Sequence, residues 1–308
     1  MGAGESGPSE KITLDNLTAT GTIVSGSGSD KRWDEMTKRP LTLTIDTAPK
    51  CQIYIGDCRS IMPHLREQRF DCIFADPPFN LREPYSQWKN SLSATDYRTM
   101  TKEWLSECVR LLSPTGSFWV NCPNEIAARI VVHLEDKHKL ILADWCIWHY
   151  RFGQWTGKGF IRSHTNALHF VKSRKLAIWN PTDVLVQSDR ATKYNDARTK
   201  TTRQPGKCVP LDVWGVESDG PYWGRVQGNN AERRPLHPKQ LPEKYIERAI
   251  RASTRPDSVV FTPFVGSGTE LTVARALGLR SVGIEIGERE ARSALDRIKN
   301  GAVRIKER

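Results

Sequence analysis

The chain has 308 residues, 38% apolar and 26% charged, with a formal charge of +11 and a pI near 9.4. That balance suits one large soluble domain or two modest ones, and no window approaches the roughly 18 apolar residues of a membrane span. Seven cysteines without a Cys-x-x-Cys pair argue against a disulfide framework and against zinc; a cytoplasmic protein without metal is expected.

Residues 1–40 are rich in Gly, Ser and Thr and are read as a flexible arm. They lack the basic start and apolar core of a secretory signal. Order begins near Leu41. "CQIYIGDC" is a short strand ending at Gly56-Asp57-Cys58, "RSIMPHLREQ" a short helix or turn, and "FDCIFADPPF" the next strand. Tyr97, Met100, Trp104, Leu105, Cys108, Leu111 and Leu112 recur at helical spacing, and Pro114 and Gly116 are expected to stop that helix. "SFWVNC" reads as a strand, "NEIAARIVVHLEDK" as a helix and "LILADWCIWHY" as a strand.

The pattern changes after Tyr150. Residues 151–235 are irregular, punctuated by Gly and Trp, and hold 15 Lys and Arg against 7 Asp and Glu, with one clear strand in "ALHFVKS". Such a local excess favours a polyanionic partner through counterion release. Alternation then returns with "PEKYIERAIRAS" (helix), "SVVFTPF" (strand), "TELTVARALG" (helix), "SVGIEI" (strand) and helical spacing from Glu288 to Lys299. The expected fold is α/β with a parallel sheet. Its halves, 41–150 and 236–308, are separated by a basic insert, 151–235.

Three strand ends carry chemistry. The glycine loop Gly266-Ser267-Gly268-Thr269 follows one strand, and Glu285 ends the next, 19 residues after Gly266. This is the βαβ arrangement for a nucleoside-like ligand, with glycines for close backbone approach and an acid for ribose hydroxyls. The third glycine of the dinucleotide fingerprint is absent, because Leu271 stands there. Asp57 and Cys58 end another strand at the same expected sheet edge. An acid there can accept from an adenine amino group, and the next N–H can reach a ring nitrogen. Asp76-Pro77-Pro78-Phe79 ends a third. Asp76 and the Pro77 carbonyl can each accept one N–H of an exocyclic amine, exposing the nitrogen lone pair. Phe79 offers a stacking face for a base taken out of its duplex, and the prolines limit reorganisation.

"ADPPFN", "FVGSGT" and "HPKQLPE" together resemble the amino-group DNA methyltransferases that use S-adenosylmethionine, and their order resembles the beta subgroup. The resemblance covers about residues 50–300. It implies a Rossmann-like methyltransferase sheet with permuted motif order and a target-recognition insert. It implies Asp76, Pro77, Pro78 and Phe79 as the catalytic group. It places the cofactor against Asp57, Cys58, Asp76, Phe264, Gly266, Ser267, Gly268, Thr269 and Glu285, with His237, Pro238 and Gln240 at the methionine end. Two departures stand out: Thr262 occupies the place of an acid common in that family, and Phe79 replaces the commoner Tyr.

In the insert, Arg190, Lys193, Arg198, Lys200 and Arg203 are the expected DNA-binding cations, interleaved with Tyr194, Asn195 and Gln204. Trp155, Trp179, Trp214 and Trp223 could stack on bases but are read first as core, and His149, His164 and His169 as structural. The expected activity is methylation of adenine N6 in duplex DNA. Cytosine-N4 methylation by the same chemistry is the alternative; a nicotinamide dehydrogenase or a non-catalytic DNA-binding protein fits less of the pattern. Homodimerisation and a cognate restriction endonuclease are partners that the sequence leaves open.

Overall fold

The computed structural model describes residues 40–80, 91–153, 155, 157–215, 223–237 and 239–305. All but the last residue of the expected arm, and Pro238, therefore lie outside the described residues. The main sheet contains β1 (Thr42–Ile45), β2 (Cys51–Ile55), β3 (Phe70–Ala75), β4 (Leu112–Cys122), β5 (Ile141–His149), β6 (His164–Val171), β9 (Val213–Trp214), β10 (Val259–Thr262) and β11 (Arg280–Glu285). Its order is β1-β2-β11-β10-β3-β4-β6-β5-β9. The strands β2, β11, β10, β3 and β4 run parallel, so their carboxyl ends share one edge. β3 is apolar along most of its length, as a strand covered on both faces must be.

Helices α1 (Cys58–Ile61), α2 (Ala94–Leu111), α3 (Asn124–His138), α5 (Glu243–Ser253), α6 (Thr269–Ala276) and α7 (Glu288–Asn300) accompany this sheet. α2 starts on Ser93, whose hydroxyl accepts from the Asp96 N–H. It buries Met100, Trp104, Leu105, Cys108 and Leu111, the face that the spacing predicts. Its end differs from expectation. The helix stops at Leu111 and β4 begins at once, with Pro114 and Gly116 inside that strand, at an irregularity in its pairing with β3. A bulge is a place where a sheet tolerates proline.

The segment 151–235 does not stand apart from the sheet as an insert would. β6 lies between β4 and β5, antiparallel to both, and β9 pairs with β5. β6 is buried almost throughout. Outside the sheet this segment carries α4 (Asp189–Thr192) and the ribbon of β7 (Val186–Gln187) with β8 (Lys207–Cys208). Trp214 and Trp223 are buried as expected, but Trp155 and Trp179 are exposed. His169 is structural, stacked on Trp119 and bonded to Asp144 and Ser117. No described helix is long and apolar enough to cross a membrane, and no metal-binding cluster occurs among the described residues.

Candidate active site

β10 leads through α6 to β11 on one side, while β3 leads through α2 to β4 on the other. The chain direction therefore switches between β10 and β3, the crevice where open α/β sheets bind ligands. A cavity of about 1080 Å³ opens there. It is lined by Asp57, Cys58, Asp76, Pro77, Pro78, Phe79, His237, Gln240, Phe264, Gly266, Ser267, Thr269 and Glu285. Drug-sized ligands typically occupy about 300–1,000 Å³, so this space suits a nucleoside-sized ligand together with a second group.

Asp76 follows the last residue of β3. The Asn121 amide, on β4, donates to Asp76 Oδ1 at 2.7 Å. The Asn121 carbonyl accepts from Thr165 of β6 at 3.0 Å and from Tyr245 of α5 at 3.1 Å. Two hydroxyls at the oxygen leave the amide nitrogen facing Asp76. Burial pushes the Asp76 carboxyl up to about 7, and the Asn121 hydrogen bond moderates that rise. The turn is fixed from both sides: Tyr97 donates to the Pro78 carbonyl at 2.9 Å, and the Asn80 amide bonds both backbone groups of Leu92. The Pro77 carbonyl meets no donor among the described residues. One carboxylate and one open carbonyl thus share a rigid turn.

On the other side of the crevice, Phe264 packs edge-on against Trp104, with ring centroids 5.3 Å apart. Glu285 accepts the Gly266 and Gly287 N–H groups at 2.8 and 3.1 Å, and burial raises it to about 7. A Cβ on Gly266 would meet open space. Gly268 is different, and the expectation that it faces the ligand is corrected. It does not line the cavity. With φ at +76°, its Cβ would sit 3.0 Å from the Ala294 Cβ on α7, so it serves helix packing. The close approach of helix and strand falls instead to Gly283 on β11, where a Cβ would lie 2.3 Å from Val265.

Three other expectations change in detail. Asp57 caps α1 and its carboxylate is engaged by the Arg59 guanidinium at 2.7 Å and the Arg59 N–H at 2.9 Å. Burial raises the Asp57 carboxyl, but these Arg59 bonds outweigh it and hold it below the usual range. A ligand amine must therefore share it. Gln240 is buried and ties its own loop together, accepting from Arg234 N–H and donating to the Glu232 carbonyl. Only His237 of this pair has an orphaned atom: its Nε2 is buried without a partner, and burial pushes the ring down to about 4.

The five expected DNA-binding cations do not line the cavity. Arg190 and Arg198 both bind Asp196, at 2.9 and 2.7 Å, and Lys193 faces Asp189 at 3.6 Å. Three of the five thus spend charge on local acids interleaved in the same stretch.

Sequence reasoning missed residues that act at a distance. Asn121, Thr165 and Tyr245 form the support of Asp76; a lone buried Asn within an apolar strand was the available signal. Arg297, buried on α7, donates to Thr269 Oγ1 at 2.7 Å and pairs with Glu243 at 3.1 Å, bracing the glycine loop from behind. Glu243 also accepts the N–H groups of Val303 and Arg304, so this buried pair is well hydrogen-bonded. Glu270, in the first turn of α6, lines the cavity as a third buried carboxyl, beside Asp76 and Glu285. Burial, and then the neighbouring Asp76 charge, push it up to about 8.

The DNA methylase family model N6_N4_Mtase matches residues 70–296. The chain belongs to this family. It is 30% identical over 250 residues to the type II methyltransferase M.HpaI of Haemophilus parainfluenzae, covering 80% of this chain and 74% of that one. Its fold is shared with the cytosine-N4-specific PvuII DNA methyltransferase, with a TM-score of 0.61, 18% identity and coverage of 80% and 86%. It is also shared with the M1.HpyAVI–SAM complex, with a TM-score of 0.56, 21% identity and coverage of 80% and 98%. As a member of the family, the protein is a DNA amino-methyltransferase that uses S-adenosylmethionine.

Proposed function

We propose that this methyltransferase modifies the N6 amino group of an adenine extruded from duplex DNA. The observation that carries this reading is the Asp76 turn, held by Asn121 in the same cavity as the glycine loop. Asp76 accepts one N–H of the target amine and the Pro77 carbonyl the other, which turns the nitrogen lone pair away from both. Phe79 covers the face of the base. The prolines and the Asn80 and Tyr97 bonds hold these acceptors before the substrate arrives, so little reorganisation accompanies the reaction.

The residues present fit a cationic nucleoside cofactor. Glu285 would accept from the ribose hydroxyls, Phe264 and Cys58 would offer apolar and backbone contact, and the Glu270 carboxyl, which lines the same cavity, would face the cationic centre. His237, whose buried Nε2 has no partner among the described residues, would meet the methionine end. When bound, S-adenosylmethionine supplies an electrophilic methyl group on a sulfonium centre. Glu270 supplies the charge that Thr262 does not carry. Its carboxyl ionises more readily beside a cation, which stabilises the bound state.

The segment from Lys172 to Asp212, with Lys200 and Arg203 outside the local ion pairs named above, is assigned to recognition of the flanking sequence. A paired endonuclease accords with the type II relative; dimerisation is the arrangement to examine alongside it. Cytosine-N4 methylation is the second reading, and the PvuII likeness favours it. The acid at position 76 favours adenine. Tritiated methyl transfer to synthetic duplexes lacking either adenine or cytosine in one strand tests the choice: label in strands without adenine would reject it.

A further inference from the structure

The turn between β5 and β6 lies at the same edge as the carboxyl ends of the parallel strands, because β6 starts opposite the end of β4 at Cys122. Its base is firm. The Tyr150 N–H donates to Ser163 at 2.8 Å, and the Tyr150 hydroxyl to the His164 carbonyl at 3.2 Å. Its tip carries apolar rings in water: Phe152 is 68% exposed, Trp155 66% and Phe160 fully exposed, with Ile161 beside them. Large apolar side chains grouped in this way mark an interaction surface. Phe152 and Phe160 also line the cavity that holds Asp76 and Phe79.

The surrounding charge identifies the occupant. No acidic residue lies between Asp144 and Asp183, while Arg151, Lys158 and Arg162 fall within the tip; Arg162 is paired with Glu125 of α3, so the excess of positive charge over nearby acids along the tip comes from Arg151 and Lys158. Arg225 lies over the Tyr150 ring, 5.5 Å from its centroid, at the same cavity wall. Rings set among cations suit a nucleic acid, whose bases stack and whose phosphates are anionic. An apolar protein partner would not require this bias.

We propose that the β5–β6 tip is a wedge that enters the duplex beside the target and stacks in the space vacated when the base moves into the cavity. This rests on the reading that the target base is extruded. Gly157 and Gly159, between Trp155 and Phe160, hold φ of +77° and +79° with open space about them and let the tip bend into a groove, whereas Gly153 packs closely against the Arg162 carbonyl at the firm base. The recognition segment around α4 then reads flanking sequence, while the hairpin opens the stack.

The test uses the full chain carrying Trp155→Ala and Phe160→Ala together. Both side chains are exposed, so the variant is expected to fold and to bind S-adenosylmethionine as the parent does by calorimetry. The recognition site is first mapped from modified bases in the DNA of an expression host. Two duplexes then carry that site, one fully paired and one with an abasic position opposite the target, where extrusion costs least. On the paired duplex, methyl transfer should fall about tenfold for each ring that stacks. On the abasic duplex, most of that loss should disappear. Equal losses on both duplexes, or no loss on either, would overturn the wedge. The measurement with 2-aminopurine at the target, made on the parent and on Phe79→Ala so that stacking on Phe79 does not mask the signal, separates the two ideas: no fluorescence rise with either protein on either duplex would reject extrusion itself, whatever the wedge variant does.

Discussion

Replacing Asn121 with Ala tests the support of Asp76 without touching the reacting groups. The amide holds Asp76 at 2.7 Å, and burial otherwise raises that carboxyl, to about 7 in the intact site. A hydrogen bond to a charged group contributes about 1.5–3 kcal/mol, and about 1.4 kcal/mol corresponds to one pH unit. Losing it should move the Asp76 midpoint up by about one to two pH units. Transfer needs the ionised carboxylate, so activity is lost below the midpoint and recovered above it. At pH 7.5 the ionised fraction falls by about threefold to 25-fold, and kcat/KM should fall with it. Near pH 9.5 the variant should approach the parent to within a few-fold. The assay is the pH profile of kcat/KM for methyl transfer, with cofactor affinity measured in parallel. A loss of equal size at every pH would show that Asn121 merely supports the fold, and an unchanged profile would remove it from the site.

Other changes follow from the same geometry. Asp76→Ala should lower kcat by about 10²–10³, the typical cost of removing one preorganised polar group, while calorimetry shows S-adenosylmethionine binding nearly intact; near-normal turnover would exclude Asp76 from the chemistry. Gly268→Val should lower the thermal midpoint of the free protein, because the new side chain meets Ala294 at a strained φ; normal stability with lost cofactor binding would return Gly268 to the ligand. Glu270 should give up protons when the cationic cofactor binds near pH 7, since a cation lowers a carboxyl that burial has raised; calorimetry in buffers of different ionisation enthalpy should show fewer protons released by Glu270→Gln, and equal release would refute its role. Removing the charges of Lys193, Lys200 and Arg203 should flatten the dependence of log DNA affinity on log salt by about one for each phosphate left without its cation; an unchanged slope would move the DNA surface elsewhere.

The order of elements was legible because apolar spacing and turn residues act over short range. β3 ends where Asp76-Pro77-Pro78 must stop a strand, and Gly266 and Glu285 lie at adjoining strand ends, where βαβ grammar puts them. Long-range pairings left less trace. Asn121 meets Tyr245 across 124 residues and Arg297 meets Glu243 across 54, and neither partner has a local pattern that demands the other. β6 reads as a strand in isolation, but nothing in "ALHFVKS" says that it completes the main sheet. The tryptophans divide for a similar reason. Trp214 packs against Tyr245 and Trp119 in the core, whereas Trp155 lies on a turn whose length lifts it away from any such face. Arg190 and Arg198 carry the charge expected for DNA contact, yet the turn at Asp196 brings one acid to both.

The central claim is methylation of an exocyclic amine, on adenine. Digesting DNA methylated by the purified protein to nucleosides, and identifying the product by mass spectrometry, tests it most directly. N6-methyladenine is the expected main product. N4-methylcytosine would contradict the choice of base while leaving the Asp76 mechanism standing, and 5-methylcytosine would contradict both.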